Sequence, residues 1–129
     1  EADVLLQTHS TNPFLSAATI SSAVERFLAG ENDCDSAFGV TRLQARLWTA
    51  DAQPVNHDPA VLLRTQDLPP VYLENSCFYV FTPETLRTRR NRIGERPLLV
   101  EVPPQEALDI DEESDFQLAQ AVAAMRASA

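Results

Sequence analysis

The sequence predicts an α/β fold with a mixed, mostly parallel sheet flanked by helices. A short apolar strand (residues 3–7) is followed by an amphipathic helix (16–29) and a second strand (35–41). This strand–helix–strand order favours a parallel unit. Two later segments, 77–81 and 98–102, are rich in apolar, aromatic and β-branched residues and are predicted to extend the sheet.

The helices carry recognisable start and stop signals. Ser16 is a good cap for the first helix, and Gly30 is a typical stop. Its apolar residues share one face: Ile20, Val24, Phe27 and Leu28. Thr82-Pro83-Glu84 predicts a second helix start, with a cap, a proline in the first turn and an acid that favours the helix dipole.

The last helix is predicted from about Glu112 to Arg126. One apolar stripe runs along it, formed by Phe116, Ala119, Val122 and Met125.

Residues 43–72 do not read as a regular crossover. Trp48 and Val55 flank a possible hairpin turn at residues 50–54, and proline-containing polar segments follow. We expect this segment to leave the sheet as an extended excursion. Its apolar residues have no obvious place in a half-domain sheet, and exposed patches of this kind usually mark an interface. We therefore expect a two-fold homodimer.

Composition bounds the function. Hydrophobic residues make up 44% of the chain and charged residues 22%, as in an ordinary globular domain. The net charge is −9 and every basic residue is arginine, which argues against binding a nucleic acid polymer. The apolar runs are too short to span a bilayer. Cys34 and Cys77 are widely separated, so we predict free thiols and a cytoplasmic location, although a single disulfide stays possible.

The strongest candidate for chemistry is the pair Asp109 and Asp111. In an extended segment both side chains point to the same side, while Ile110 points to the other. Two carboxylates suit Mg²⁺, which takes its remaining ligands from water and phosphate oxygens. The alternative is that Asp111 only caps the following helix and Asp109 is solvated.

Two further clusters have both functional and structural interpretations. The segment from Gln66 to Pro70, followed by Tyr72 and Glu74-Asn75, combines polar, aromatic and rigid residues, which suits either a ligand-binding loop or an ordinary surface loop. The only basic cluster is Arg87, Arg89, Arg90, Arg92 and Arg96. It suits an anion site or a solvated helix end.

Other catalytic patterns are missing from the sequence. No Cys and His spacing suits zinc, and no segment reads as a nucleophile elbow. A hydrolase built on His9 and Ser10 is a poor hypothesis, because adjacent residues rarely form a working base and nucleophile. With only three glycines the chain has no glycine-rich phosphate loop. It opens Glu1-Ala2-Asp3 and reaches a strand by Val4, so we expect a fragment of a longer protein.

Taken together, the segments resemble the C-terminal part of the acylneuraminate cytidylyltransferases, the CMP-sialic acid synthetases. The matching pieces cover nearly the whole chain in order: Leu5-Leu6-Gln7, Pro13, Asp35-Ser36, Arg64, Gln66-Asp67-Leu68-Pro69-Pro70, Tyr72, Glu74, Asn75, Tyr79, Asn91-Arg92-Ile93-Gly94, Arg96-Pro97, Glu106-Ala107-Leu108-Asp109-Ile110-Asp111 and Asp115-Phe116. Their order and spacing together make the resemblance specific.

The resemblance implies that residues 1–129 are the C-terminal part of a single domain with a nucleotide-diphosphosugar transferase-like fold. It implies a reaction that joins an acidic, sialic-acid-like sugar to CMP, using CTP and Mg²⁺ and releasing pyrophosphate. Asp109 and Asp111 match the magnesium ligands. Residues implied to bind substrate are Gln7, Arg64, Gln66, Asn75 and Tyr79. The excursion at 43–72 matches a dimerisation element, and the CTP-binding loop would lie upstream.

The chain also departs from the family pattern. The loop from Gln7 to Pro13 is longer by two residues and is followed by Phe14-Leu15-Ser16, without the arginine that usually follows closely. The usual Asn-Gly is Asn75-Ser76 here. Another activated sugar, a non-catalytic dimerisation or binding module, and a metal-dependent glycosyltransferase-like protein therefore stay open. A glycine-rich, basic segment upstream would favour the enzyme.

Overall fold

A computed structural model describes residues 1–129. The elements are β1 (Leu5–Thr8), α1 (Ala17–Leu28), β2 (Ser36–Leu43), β3 (Val71–Phe81), α2 (Pro83–Arg89), β4 (Pro97–Glu101) and α3 (Glu113–Ala127). Short 3₁₀ turns occur at Glu31–Asp33 and Thr65–Asp67. Every strand and helix predicted from the sequence is present, with ends shifted by a few residues, and β3 is longer than predicted.

The four strands form one mixed sheet in the order β1-β3-β2-β4. β3 is antiparallel to both β1 and β2, and only β2 and β4 form a parallel pair. The prediction of a mostly parallel sheet is therefore not confirmed. β1 and β2 do run in the same direction, as the strand–helix–strand order predicted, but β3 lies between them as an antiparallel neighbour.

The predicted helix starts at Ser16 and Thr82 are confirmed. Each hydroxyl accepts a hydrogen bond from the backbone N–H three residues later, at Thr19 and Thr85. The start of α3 differs from the prediction, because its N-cap is Glu112 and not Asp111. The alternative that Asp111 serves only as the cap of this helix is therefore wrong.

The sheet has two packed faces. One carries the larger cluster, in which Ala23 and Phe27 of α1 cover apolar residues of the sheet, among them Phe78 of β3 and Val100 of β4. The opposite face carries a smaller cluster of buried residues: Phe38, Val40, Tyr79 and Phe81. Leu5 and Ile93 pack against the edges of this smaller cluster.

A bulge of several residues in β3 interrupts the pairing of β2 with β3. Phe38 faces Tyr79 but Val40 faces Glu74, so two steps along β2 match five along β3. Ser76 within the bulge has a left-handed backbone with φ of 59°. A Cβ on Gly39 would lie 2.8 Å from Asn75 Oδ1, so glycine is needed where the bulge folds over β2.

The excursion leaves the sheet between β2 and β3, whose ends pair at Leu43 and Val71. It is ordered by its own contacts. Trp48 pairs with Pro54 across the predicted turn, and its ring packs edge-on against His57. Its larger apolar side chains nevertheless stay exposed: Trp48, Val55, Val61, Leu62 and Leu63.

Helix α3 packs loosely. Of its predicted apolar stripe only Ala119 is buried, whereas Phe116 and Met125 are exposed. Near its end the Arg126 guanidinium lies 4.5 Å from the centre of the Phe14 ring. The predicted stripe is therefore covered by the rest of the chain only around Ala119. No helix of the structure combines the length and apolar character needed to cross a membrane.

Candidate functional site

The loop after β1 lies against the segment that carries Asp109 and Asp111. The backbone N–H of Ile110 donates to the carbonyl of Thr11 at 3.0 Å. The side-chain amide of buried Asn12 donates to the carbonyl of Leu108 at 3.3 Å. These contacts join positions almost 100 residues apart and bring the carboxylate pair beside the loop that follows Gln7.

Glu106 fixes the same segment to the start of α1. Its carboxylate accepts from the Thr19 hydroxyl at 2.7 Å and from the backbone N–H of Ser16 at 3.1 Å. Burial acts to raise the pKa of Glu106, but these hydrogen bonds outweigh it, so the pKa lies below its ordinary value. The charged form of Glu106 therefore holds residues 106–111 in place.

Asp109 and Asp111 have different surroundings. Asp109 Oδ1 is shielded from solvent and has no hydrogen-bond partner. The Asp111 side chain is exposed, and its backbone N–H donates to Asp115 Oδ2 at 3.0 Å. Asp115 also accepts from the N–H of Glu112 at 2.9 Å. Asp115 thus organises the helix start and leaves the Asp111 carboxylate uncommitted.

Cys77 borders this segment and is buried. Its pKa is raised to about 11 by burial first, and then by the negative charges of Asp109 and Glu106. The thiol is therefore neutral and packs as a small apolar group. Cys34 and Cys77 are both free, as predicted from their spacing.

The residues present fit a magnesium ion by donor chemistry. Asp109 offers an unpaired, buried carboxylate oxygen, which is costly to leave unsatisfied, and Asp111 offers a free carboxylate. No group of three or more Asp, Glu, His or Cys side chains is arranged to hold a metal ion by itself. Two carboxylates with room for water and phosphate oxygens are what Mg²⁺ accepts, unlike an all-protein zinc or calcium cage.

Gln7 and Tyr79 are directly opposite each other on β1 and β3. Facing residues of an antiparallel pair project to the same side of the sheet. Tyr79 is fully buried, and its hydroxyl donates to the Glu74 carboxylate. Burial, followed by this hydrogen bond, raises the pKa of Tyr79.

Two cationic or titratable residues complete the surroundings of Tyr79. The Arg92 guanidinium lies over the ring, with its central carbon 3.6 Å from the ring centre. The His9 ring packs edge-on, with the centroids 6.1 Å apart, and its Nδ1 bonds the carbonyl of Ser76. The sequence interpretation did not place His9 or Arg92 here, because no local pattern links them to Tyr79.

Asn75 is committed to the bulge. Its Nδ2 donates to the Thr41 hydroxyl at 3.2 Å, and its Oδ1 accepts from the backbone N–H of Cys77 at 3.2 Å. The side chain therefore shapes the strand beside Tyr79. Contact with a substrate would require it to exchange one of these partners.

Arg64 and Gln66 lie in the excursion, where both are exposed. The Arg64 guanidinium pairs with Asp67 at 2.8 Å within the 3₁₀ turn. No hydrogen bond, ion pair or ring contact joins Arg64 or Gln66 to Gln7, Asn75 or Tyr79. The structure thus brings together Gln7 and Tyr79, and places Asp109 and Asp111 beside the loop after Gln7, but keeps Arg64 and Gln66 apart from them.

Two motifs that carry the family resemblance, Asp35-Ser36 and the segment from Asn91 to Pro97, are joined by hydrogen bonds. The Asp35 carboxylate accepts from the backbone N–H groups of Glu95 at 2.8 Å and Arg96 at 3.0 Å, and the Ser36 hydroxyl accepts from the N–H of Gly94 at 2.9 Å. Burial opposes these bonds, yet they keep the pKa of Asp35 below its ordinary value. We call this contact the Asp35–Gly94 clasp; it fixes the segment that carries Arg92.

The arginines of the basic cluster have different contacts. Arg89 pairs with Glu95 at 2.9 Å, and Arg96 lies 3.4 Å from the Asp33 carboxylate. Arg87 belongs to the last turn of α2, and Arg90 ends that helix. These positions agree with the helix-end interpretation, whereas Arg92 alone reaches the buried face of the sheet.

The largest cavity, about 620 Å³, lies between the end of α1 and α2. It is lined by polar residues that include Asp35, Glu84 and Arg89. None of the residues predicted to bind the metal or the substrate lines it, although two arginines of the basic cluster do. Because its lining carries charges of both signs, we place the candidate site instead at Gln7, Tyr79 and the Asp109–Asp111 segment.

The family model described as Cytidylyltransferase matches residues 1–128. The chain therefore belongs to this cytidylyltransferase family, which confirms the resemblance drawn from the motifs. Among curated proteins, N-acylneuraminate cytidylyltransferase of Oncorhynchus mykiss is 28% identical to it over 127 residues. That alignment covers 93% of this chain and 28% of the relative, so the chain spans little more than a quarter of the relative's length.

Proposed function

We propose that the chain is part of a CTP-dependent nucleotidyltransferase that activates an acidic, sialic-acid-like sugar to its CMP-sugar. The sugar's anomeric hydroxyl oxygen bonds to the α-phosphorus of CTP and loses its proton. The bond from that phosphorus to the oxygen bridging to the β-phosphate breaks, and pyrophosphate leaves. Family membership and the acylneuraminate relative support this class of reaction.

The observation that carries the proposal is the contact between the loop after Gln7 and the Asp109–Asp111 segment. Through Thr11 and Asn12 it joins a predicted sugar-binding strand to a predicted phosphate-side carboxylate pair. A transferase needs these two functions side by side, because the reacting oxygen and phosphorus must approach closely.

We propose a role for each residue of the site. Asp109 and Asp111 would hold Mg²⁺, which supplies charge neutralisation and orientation of the phosphates. Gln7 would bind the sugar at this face of the sheet. Tyr79 is fully buried beneath Arg92, so it would support the sugar site from within and would touch the sugar only after Arg92 moves. Asn75 would shape the face through the bulge. Glu106 keeps the carboxylate segment against α1.

Arg64 and Gln66 would act in a dimer. Their exposure on the excursion agrees with the prediction that this segment is a dimerisation element, and in the dimer the segment would carry them to the site of the second copy. The exposed apolar side chains of the excursion support the same arrangement.

The test is a pyrophosphate-release assay of the full-length protein with CTP and a panel of acidic sugars. We expect release that depends on CTP, on magnesium and on one acidic sugar, together with formation of the CMP-sugar. UTP or ATP in place of CTP is the matched control. A folded full-length protein that releases no pyrophosphate with any sugar would favour the non-catalytic module, and transfer from a ready-made nucleotide-sugar would favour the glycosyltransferase.

A further inference from the structure

Arg92 differs from Arg89 and Arg96 in the partner that its guanidinium contacts. Arg89 and Arg96 have carboxylate partners, whereas Arg92 has no ion pair and donates no hydrogen bond. Its one defined contact is the face of the Tyr79 ring. A guanidinium stacked on an aromatic ring keeps its planar set of N–H donors free along its edge.

Contacts of the neighbouring residues fix the position of Arg92. The Asp35–Gly94 clasp holds the segment two residues beyond it, and neighbouring Ile93 packs against the buried cluster that contains Tyr79. Arg92 itself is only half-buried. It is therefore a preorganised cation at the edge of the face that carries Gln7 and Tyr79, so little conformational entropy is lost when it binds a ligand.

The surroundings of Gln7 and Tyr79 are negatively charged, so an anionic ligand needs a cation nearby in order to bind. The chain has a net charge of −9, and Glu74 lies within the same group of contacts. The loop after Gln7 carries no arginine up to Ser16. An anionic group that approached Gln7 and Tyr79 would meet repulsion without Arg92.

We propose that Arg92 binds the carboxylate of the acidic sugar and so selects acidic over neutral substrates. This inference rests on the proposed function and adds a specificity-determining residue to it. The guanidinium matches a carboxylate with two parallel N–H donors, which is the geometry of the stronger charge-assisted pairs. A phosphate of CTP presents similar oxygens, so the experiment must separate the two substrates.

The experiment uses the full-length protein with Arg92→Gln, Arg92→Lys and, as the matched charge control, Arg87→Gln. We expect Arg92→Gln to raise the KM for the acidic sugar roughly 10- to 100-fold, the loss typical of one charged hydrogen-bonded partner. The KM for CTP should not change. Arg92→Lys should give a smaller rise, and Arg87→Gln none.

A second arm compares the acidic sugar with its methyl ester. The wild-type preference for the acid should fall in Arg92→Gln by the same factor as the KM rises, while activity on the ester stays unchanged. A residue that only packs on Tyr79 would lower thermal stability and leave this preference intact. An unchanged sugar KM, or a change in the KM for CTP alone, would overturn the proposal.

Two further readouts keep the result decisive. If Arg92→Gln does not fold, the sugar KM of folded Arg92→Lys decides, and an unchanged value overturns the proposal. If the wild type releases no pyrophosphate, the proposed function fails, and binding of the same sugars followed by NMR titration tests Arg92 separately. Binding that is lost in Arg92→Gln supports the anion site, whereas equal binding or none contradicts it.

Discussion

At the scale of single residues, Asp111 and Asp115 show how four positions separate two uses of the same side chain. Asp115 accepts the N–H groups of Asp111 and Glu112 and so starts α3. The Asp111 carboxylate is exposed and uncommitted. One residue therefore serves the fold, and the other is available for a ligand.

In the full-length protein, we expect Asp111→Ala to lower turnover per folded molecule by roughly 100- to 1000-fold, since it removes charge compensation at the phosphates. Asp115→Ala should instead cost about 1 kcal/mol of stability, as loss of a helix cap does. Turnover at saturating magnesium and thermal melting separate the two effects. Near-normal turnover in a less stable Asp111→Ala would refute its assignment as a metal ligand.

Glu106 predicts a pH dependence of stability. Its pKa in the folded protein lies below the ordinary 4.5, so its stabilising effect is complete above that pH and is lost as the pH falls through the lower folded value. Glu106→Gln should therefore melt at a lower temperature at pH 7, and the difference from wild type should vanish in strong acid. Exposed Glu101→Gln is the control; a difference that persists at low pH would contradict the charged contact.

Individual residues were predicted from the sequence where the cause is local. Ser16 and Thr82 were identified because a cap acts on an N–H three residues away. Arg92 could not be assigned to Tyr79 in the same way. That contact depends on the clasp between Asp35 and Gly94, which are far apart in sequence and adjacent only after folding.

At the scale of elements, the clasp joins the start of β2 to the segment before β4. A Cβ on Gly94 would lie 2.2 Å from Asp35 Oδ1, and that oxygen already accepts from the backbone N–H of Arg96 and from the Ser36 hydroxyl. The glycine is therefore required by packing against Asp35.

We expect Gly94→Ala to destabilise the protein by about 1–3 kcal/mol, the usual cost of overpacking. The double variant Asp35→Ala with Gly94→Ala should cost less than the sum of the two single changes, because the added methyl group then has room. Chemical denaturation of the four proteins measures this coupling. Strictly additive losses would show that the clash is not with Asp35.

Strand direction limits what was predictable at this scale. The sequence located β3 through its aromatic and β-branched residues, but its pattern carries no direction. β3 is antiparallel to β2 because the excursion returns to the end of β2 at which it left, so that Leu43 pairs with Val71. The bulge was also missed, since the left-handed Ser76 has no glycine signature.

At the scale of the whole molecule, the exposed apolar surface is concentrated in the excursion and on α3. Leu62 is 95% exposed and is the most exposed of these side chains. The proline-rich composition predicted that residues 43–72 leave the sheet, but only a partner could show what covers them. The role in dimerisation stays a prediction.

We expect the protein to form a two-fold dimer through this excursion, and Leu62→Asp to weaken it without loss of folding. Leu28→Asp on α1 is the matched control, because Leu28 is also exposed, at 64%, but lies outside the excursion. Light scattering over a concentration series measures both variants. A wild type that is monomeric at high micromolar concentration would count against the dimer.

We also expect the 129-residue chain by itself not to turn over CTP. It has no lysine and no glycine-rich phosphate loop, and β1 is an edge strand that pairs only with β3. The assay is CMP-sugar formation by the purified chain beside the full-length protein. Product from the isolated chain would overturn this expectation.

The bond from Ser16 to Glu106 also has a consequence for the order of folding. It closes a separation of 90 residues, so its entropy cost must be met before the contact stabilises anything. The antiparallel pair of β2 and β3 joins residues that are closer in sequence, since Leu43 pairs with Val71, and it can form first. During refolding, the backbone N–H of Ser16 should thus regain protection from hydrogen exchange later than the N–H groups that join β2 to β3, and simultaneous recovery would argue for a single concerted step.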